Sequence, residues 1–413
     1  MNWKTLTLLL LFIFTRIFIW QNPPPDFSEI IYSYMPYAHL WDSGTRPYLD
    51  QWYEYPPATI PLFYIPHLID KTSHGSFFSI NYGQAYRGQL LLIDTLIFFL
   101  IWKTLSTLKV NAKNKFLSLL FYIGLTAKAN HFIYDSMDLV FASALMISIS
   151  GPIIFKNEIA QGLSKWIGYW LAVALKYING PMGLIGVALN RKDWKKEIVI
   201  CGISLLLIWG IPLALYRSSL QVSLVYHQIR GVQIDSVPAV IIRMIDTFTH
   251  SEKVIEIYKN YEISGPITSQ VSKITSPLFI VGLIGFIGML SIQALRIDEK
   301  KKSMFWLSAT VGYIFLFLLI GKVLSRPFLL WTIPLLAVLP FESIKKQLHF
   351  LIPGAVMVLL TFSPVPNTVI GPFAIPLWVG IIRSICLVWI FLAWIIWHQS
   401  SFFLKKSEKK SKR

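Results

Sequence analysis

The chain has 413 residues, of which 54% are hydrophobic, 15% aromatic and 14% charged, where soluble domains carry about 25% charged residues; this excludes a soluble globular protein and reads as a polytopic membrane protein. The formal net charge of +17 does not point to nucleic acid, because the basic residues are dispersed in short loops between apolar runs, where they record topology. Cys201 and Cys386 both sit inside apolar runs, which speaks against a disulfide framework.

In chain order, Lys4 precedes an apolar run from Thr5 to Trp20 that is interrupted by Arg16 and followed by no small-residue cleavage site. That pattern predicts a retained signal anchor. Next comes a polar, aromatic loop from Asp26 to Pro57 carrying five carboxylates, Asp26, Glu29, Asp42, Asp50 and Glu54. Residues 56–69 are apolar but short and broken by Pro57, Pro61 and Pro66, which suits a helix at the membrane interface better than one crossing it. Spans are predicted near 88–104, 116–127, 138–155, 198–216, 277–295, 303–321, 327–341, 348–363 and 376–397. The apolar stretch 166–189 is broken at Asn179, Gly180 and Pro181, one turn after Lys176, and predicts two half-helices, a device that usually lines a cavity.

The positive-inside rule then places both termini in the cytoplasm of a plasma (inner) membrane protein, with lysine-rich loops at 103–115, 191–196 and 300–302 and a basic tail at 398–413 inside. The outer face gathers residues 21–87 and 217–276, the second too small and polar to predict a core of its own. The whole chain, 1–413, reads as one membrane domain. Within it there is no Gly-x-Ser-x-Gly elbow, P-loop, dinucleotide fingerprint or Cys-x-x-Cys pair.

The ordered set Asp26, Tyr32, Ala38, Leu40, Gly44, Pro47, Tyr48, Glu54, Tyr55, Pro56, Pro57 resembles the first extracytoplasmic loop of the GT-C glycosyltransferases, and within them the polyprenol-phosphate-mannose-dependent mannosyltransferases of family 87. Asp138 leading Leu139 to Leu145, Lys176 and Tyr177 before Pro181, and Lys322 to Ser325 with Leu329, Leu330, Trp331 and Pro334 resemble three later segments of that family. Arg326, Pro327 and Phe328 depart from it, standing where Pro, Gln and Tyr are common. The resemblance implies an all-α GT-C-like bundle of about 10 to 13 transmembrane helices with juxtamembrane helices in the first loop. It implies transfer of a sugar, mannose by resemblance, from a polyprenyl-phosphate donor to a glycolipid or glycan acceptor, without cofactor or metal.

Chemically, a lipid phosphate leaving group needs cationic neutralisation, and the acceptor hydroxyl needs a base within hydrogen-bond reach. Asp26, a few residues after the first span, is the candidate base, and by resemblance the catalytic aspartate; the alternative is a helix cap. Glu54 and Tyr55 are candidates for holding a sugar ring, or for anchoring the interface. Lys176 is a candidate for the phosphate, or snorkels to the surface. Lys322 and Arg326 bracket an outer turn and offer a second clamp, with Arg230 and Arg243 as further cations. Arg16 is placed to orient Asp26 by charge pairing, or snorkels to the surface. Asp135 and Asp138, with His131 nearby, would share one face if helical, without the dense cluster that predicts a metal. A lipid or lipid-linked-sugar flippase is the rival class; it calls for ionisable residues within spans, of which Asp94 is the clearest.

Overall fold

The computed structural model describes residues 3–23, 28–75, 79–257, 260–363 and 375–403. Asp26 and the basic end of the tail lie outside them. The chain opens with α1 (Trp3–Gln21); a π-helical turn (Ile30–Tyr34) then runs directly into α2 (Met35–Asp42), followed by α3 (Thr59–Ser73). At 15 residues α3 is about 22 Å long, short of a hydrocarbon core of about 30 Å, as the three prolines predict.

A capping box starts α4 (Tyr82–Thr107): the Asn81 carboxamide accepts from the Gln84 N–H, and the Gln84 side chain accepts from the Asn81 N–H, satisfying two otherwise orphaned donors. Asn111 caps α5 (Ala112–Lys128), and a single turn, α6 (Asn130–Ile133), leads into α7 (Asp138–Ile154). Asn157 caps α8 (Glu158–Leu175). The break predicted at Asn179 to Pro181 begins earlier, at Lys176, whose backbone is extended (φ −152°, ψ 118°); a 3-10 turn (Tyr177–Met182) and α9 (Gly183–Leu189) follow. Pro181 explains the position, since its ring would meet the Tyr177 carbonyl of a continued helix and it has no N–H to give.

Then come α10 (Trp194–Tyr216), α11 (Gln221–Ile229), β1 (Val232–Gln233), α12 (Val237–Thr249), β2 (Lys253–Ile257), β3 (Asn260–Ser264), α13 (Pro266–Ala294), α14 (Lys302–Ile320), α15 (Leu329–Ala337), α16 (Ile344–Thr361) and α17 (Leu377–Phe402). Among the described residues seven helices, α1, α4, α10, α13, α14, α16 and α17, are long and apolar enough to cross a membrane. Shorter apolar helices lie at Asp138–Ile154, Tyr177–Leu189 and Arg326–Ala337. The protein is a polytopic, helical membrane protein, with one small sheet added.

By contacts the chain forms two compact units, one of Met1–Gly180, Lys195–Ile229 and Ile333–Pro340, the other of Pro181–Trp194, Arg230–Thr332 and Phe341–Arg413. In the first unit α7 packs along α8 and against α4. A methyl group on Gly168 would stand 2.4 Å from the Ser148 backbone nitrogen and 2.7 Å from the Ala144 carbonyl, so only glycine admits this approach. Small residues that let backbones meet are how helices associate where lipid removes the hydrophobic drive.

In the second unit α17 packs on α14 and α16, and Gly312 lies so close under the Trp394 indole that a methyl would sit 2.2 Å from a ring carbon. The segment 217–276 departs from expectation. Its three strands form an antiparallel sheet in the order β1-β3-β2, with Ile263 opposite both Val232 and Val254. Val232, Ile234, Ala239, Ile242 and Ile263 are buried together beside it. The segment builds a small core because two short strands and one face of α12 pool residues that no single element could bury.

Candidate active site

In the first unit, the start of the first loop, the turn before α7 and the break after α8 meet in one polar cluster. The Ser28 hydroxyl and the Glu29 N–H, the latter at 3.1 Å, both donate to the Asp135 carboxylate. Tyr34 donates its hydroxyl to Glu29 and accepts the Met137 N–H at 3.4 Å. Asp138 accepts the Ser136 hydroxyl at 2.7 Å, and its other oxygen lies 3.1 Å from Lys176 Nζ. The extended backbone at Lys176 turns its ammonium to Asp138, so two residues singled out separately in the sequence form one ion pair. Asp138 is buried and Lys176 nearly so.

Three carboxylates share this cluster with that one lysine. Burial first, and then the Asp135 charge, push the Glu29 carboxyl up to about 7, against the opposing effect of the Tyr34 hydrogen bond. Burial also raises Asp135. A carboxyl poised near neutrality beside a lysine is the arrangement from which acid–base chemistry is built. The Tyr86 hydroxyl, fully buried and feeling the charges of Glu29, Asp135 and Asp138, has no hydrogen-bond partner.

The proline end of the loop closes on the same break. The Ala58 N–H donates to the Ala174 carbonyl at 2.9 Å, the last turn of α8. Glu54 accepts the Tyr37 hydroxyl at 2.5 Å, and the Tyr55 carbonyl accepts the Tyr48 hydroxyl at 2.5 Å. Tyr37, Trp41, Tyr53 and Tyr55 stand edge to face, stacked or tilted with centroids between 5.0 and 6.4 Å. Such faces, with a carboxylate at their edge, suit a sugar ring. Tyr48 holds a left-handed backbone (φ 65°), an uncommon conformation for a bulky residue that costs free energy the surrounding rings must offset.

Arg16 is committed elsewhere than expected. Its Nε and Nη2 reach the two Asp94 oxygens at 2.7 and 2.9 Å, Nη2 also reaches Thr126 at 2.8 Å, and Nη1 reaches Thr15 at 3.0 Å. The Tyr122 and Tyr134 hydroxyls complete Asp94 at 2.5 and 2.7 Å. The mid-span carboxylate that favoured a flippase is thus held in a closed network.

The remaining predicted cations belong to the second unit. Lys322 donates its ammonium to the Arg230 carbonyl, and the Lys322 carbonyl accepts the Gln233 N–H at 2.9 Å. Arg326 Nε stands 3.8 Å from Asp235, and Arg243 donates from both terminal nitrogens to the Ile375 carbonyl at 3.2 Å. The sequence reading missed Arg383 and Asp235. Arg383 is completely buried and donates to the Asp235 carbonyl oxygen; an arginine one turn and a half into an apolar run was the available signal.

No family model matches the chain, and neither does any curated protein. Among solved structures, that of ArnT from Cupriavidus metallidurans bound to undecaprenyl phosphate is similar, with a TM-score of 0.39 and 12% identity over 95% of this chain and 77% of that one.

Proposed function

We propose that the protein is a membrane glycosyltransferase of the GT-C kind, moving a sugar from a polyprenyl-phosphate donor to a glycolipid or glycan acceptor on the extracytoplasmic face with inversion. One observation supports it above the rest: Ser28 and Glu29 in the first loop, Asp135 about a hundred positions later, and the two motif residues Asp138 and, at the helix break, Lys176 meet in one cluster of carboxylates and a lysine. Asp26, two residues before Ser28, is the base. The acceptor oxygen attacks the anomeric carbon, its proton passes to Asp26, and the bond to the phosphate oxygen breaks with the electron pair on that oxygen.

Lys176, oriented by Asp138, supplies positive charge near the reacting centre. Glu54 and the tyrosines around it hold the sugar. Mannose is the favoured hexose, on the resemblance of the first loop.

The test is transfer by the purified protein in nanodiscs from radiolabelled polyprenyl-phosphate mannose to a mixed glycolipid extract, with chelator present, wild type beside Asp26→Asn. Label transferred by the wild type and lost in a folded variant is the expected result. Equal transfer by both removes Asp26 as the base; absence of transfer by either reopens the donor assignment and the flippase reading.

A further inference from the structure

In the second unit three guanidinium groups converge where, among the described residues, only one carboxylate answers them. Arg383, in the second turn of α17, is completely buried, yet only its Nη2 is bonded, to the backbone carbonyl of Asp235. Its Nε and Nη1 have no hydrogen-bond partner among the described residues. Arg326 Nε, 3.8 Å from the Asp235 carboxylate, also lacks one. Arg243, partly buried in α12, spends two donors on the Ile375 carbonyl. Arg383 feels the charges of all three neighbours, Asp235 attractive and Arg326 and Arg243 repulsive.

Asp235 does not neutralise the group. Its other oxygen accepts the Ile375 N–H at 3.3 Å, so it ties the start of α17 to the chain after β1 and holds the arginines in place. Among the described residues the cluster therefore keeps two positive charges in excess. Buried charge without a partner is costly, and donors aimed at nothing are more costly still. Guanidinium groups at such a site match a phosphate, whose oxygens accept bidentate pairs.

We propose that Arg243, Arg326 and Arg383, gathered round Asp235, bind a phosphate monoester in its dianionic form. The charge makes the choice: a monoester carries roughly −1.5 to −2 at neutral pH and balances the excess, whereas a sugar-phosphate diester carries a single negative charge and leaves half of it. On the transferase reading, which supplies the identity of the lipid but not of the phosphate, the donor is the diester and the polyprenyl phosphate released is the monoester. Breaking the bond from the anomeric carbon to the phosphate oxygen leaves its electron pair there, so charge grows as the reaction proceeds.

The experiment measures equilibrium binding to the full-length protein in nanodiscs of three labelled probes: a short-chain prenyl monophosphate, its mannosyl diester and inorganic phosphate. The monoester is expected to bind at least tenfold tighter than the diester. Arg383→Gln and, because that residue is buried, the more accessible Arg326→Gln are each expected to weaken the monoester at least tenfold and to change the diester little, with thermal melting showing that both variants fold. Weak competition by inorganic phosphate assigns the site to a lipid headgroup, and equal competition assigns it to free phosphate. Saturable monoester binding that neither folded variant changes, equal affinity for monoester and diester, or no monoester binding would each overturn the proposal. Sugar transfer by the wild type keeps the two readings apart: monoester preference without transfer removes the transferase and keeps this site, and transfer without that preference does the reverse.

Discussion

Arg16 and Arg383 are both buried arginines with an aspartate close by, and they differ in what is left over. Around Arg16 all three nitrogens are bonded and Asp94 accepts from two tyrosines as well as from the arginine. Around Arg383 two nitrogens have no partner and the aspartate gives only its backbone carbonyl. Burial of a charge is therefore not what marks a site; unused hydrogen-bonding capacity is. Removing Asp94 should break the first arrangement outright. Asp94→Ala leaves a guanidinium uncompensated inside the helix bundle and is expected to cost about 3–5 kcal/mol, read as a large drop in melting temperature or as loss of the monodisperse protein. Arg383→Gln removes a charge that lacks a counter-charge and should leave the melting temperature equal or higher. Equal losses in the two variants would erase the distinction.

The carboxylate cluster of the first unit gives the comparison its opposite sign, because negative charge is the one in excess. The Glu29 carboxyl is pushed from 4.5 to about 7, chiefly by burial and next by Asp135. Since its folded value lies above its unfolded one, the native protein keeps a proton that the unfolded chain has already released. The associated stability is fully present below about pH 4.5 and is lost as pH rises to about 7, a change on the order of 3 kcal/mol. Glu29→Gln should flatten that part of the stability curve and melt higher than wild type at pH 8. A wild-type curve already flat between pH 4.5 and 7.5 would show that Glu29 titrates normally.

Much of the fold is legible in the sequence, because spans are runs of apolar residues and need no partner to be recognised. Every span predicted from 88 to 397 overlaps an observed helix, and the proline-marked break after α8 lies within a few residues of its place. The small sheet was illegible for the converse reason: β1 has two residues and β2 presents a mostly exposed Lys-Val-Ile-Glu-Ile, so their structure comes from pairing with β3. The site is legible only in part. Asp138 and Lys176 could be named from motifs, but their pairing, that of Arg16 with Asp94 across 78 positions and that of Arg383 with Asp235 across 148 are products of tertiary folding.

That pairing of Asp138 with Lys176 can be probed from both ends. Lys176→Met removes the single lysine of the carboxylate cluster and is expected to lower transfer about ten- to a hundredfold, through kcat, as for a lost charge-stabilising group. Asp138→Asn keeps the lysine but frees it from its 3.1 Å contact, and should cost less. The double variant should resemble Lys176→Met, since one interaction is being removed twice. Additive losses would mean that the two residues act separately, with Lys176 not oriented by Asp138.

The smallest effect is expected at the aromatic end of the first loop, where the sequence offered either a sugar-holding site or an interfacial anchor. The Tyr37 hydroxyl donates to Glu54 at 2.5 Å while its ring stands edge to face with Tyr53, so Tyr37→Phe keeps the ring and deletes only the bond. A hydrogen bond to a charged acceptor contributes about 1.5–3 kcal/mol, but Glu54 is only partly buried and water can replace the hydroxyl, so the loss should be nearer 1 kcal/mol. If Glu54 holds the sugar, that loss appears as a several-fold rise in KM with kcat little changed, because a loosened carboxylate weakens ground-state and transition-state binding alike. If Glu54 only anchors the loop, KM stays put and the melting temperature falls instead, which would move the sugar site away from the tyrosines and leave the cluster around Glu29 and Lys176 as the first unit's remaining candidate.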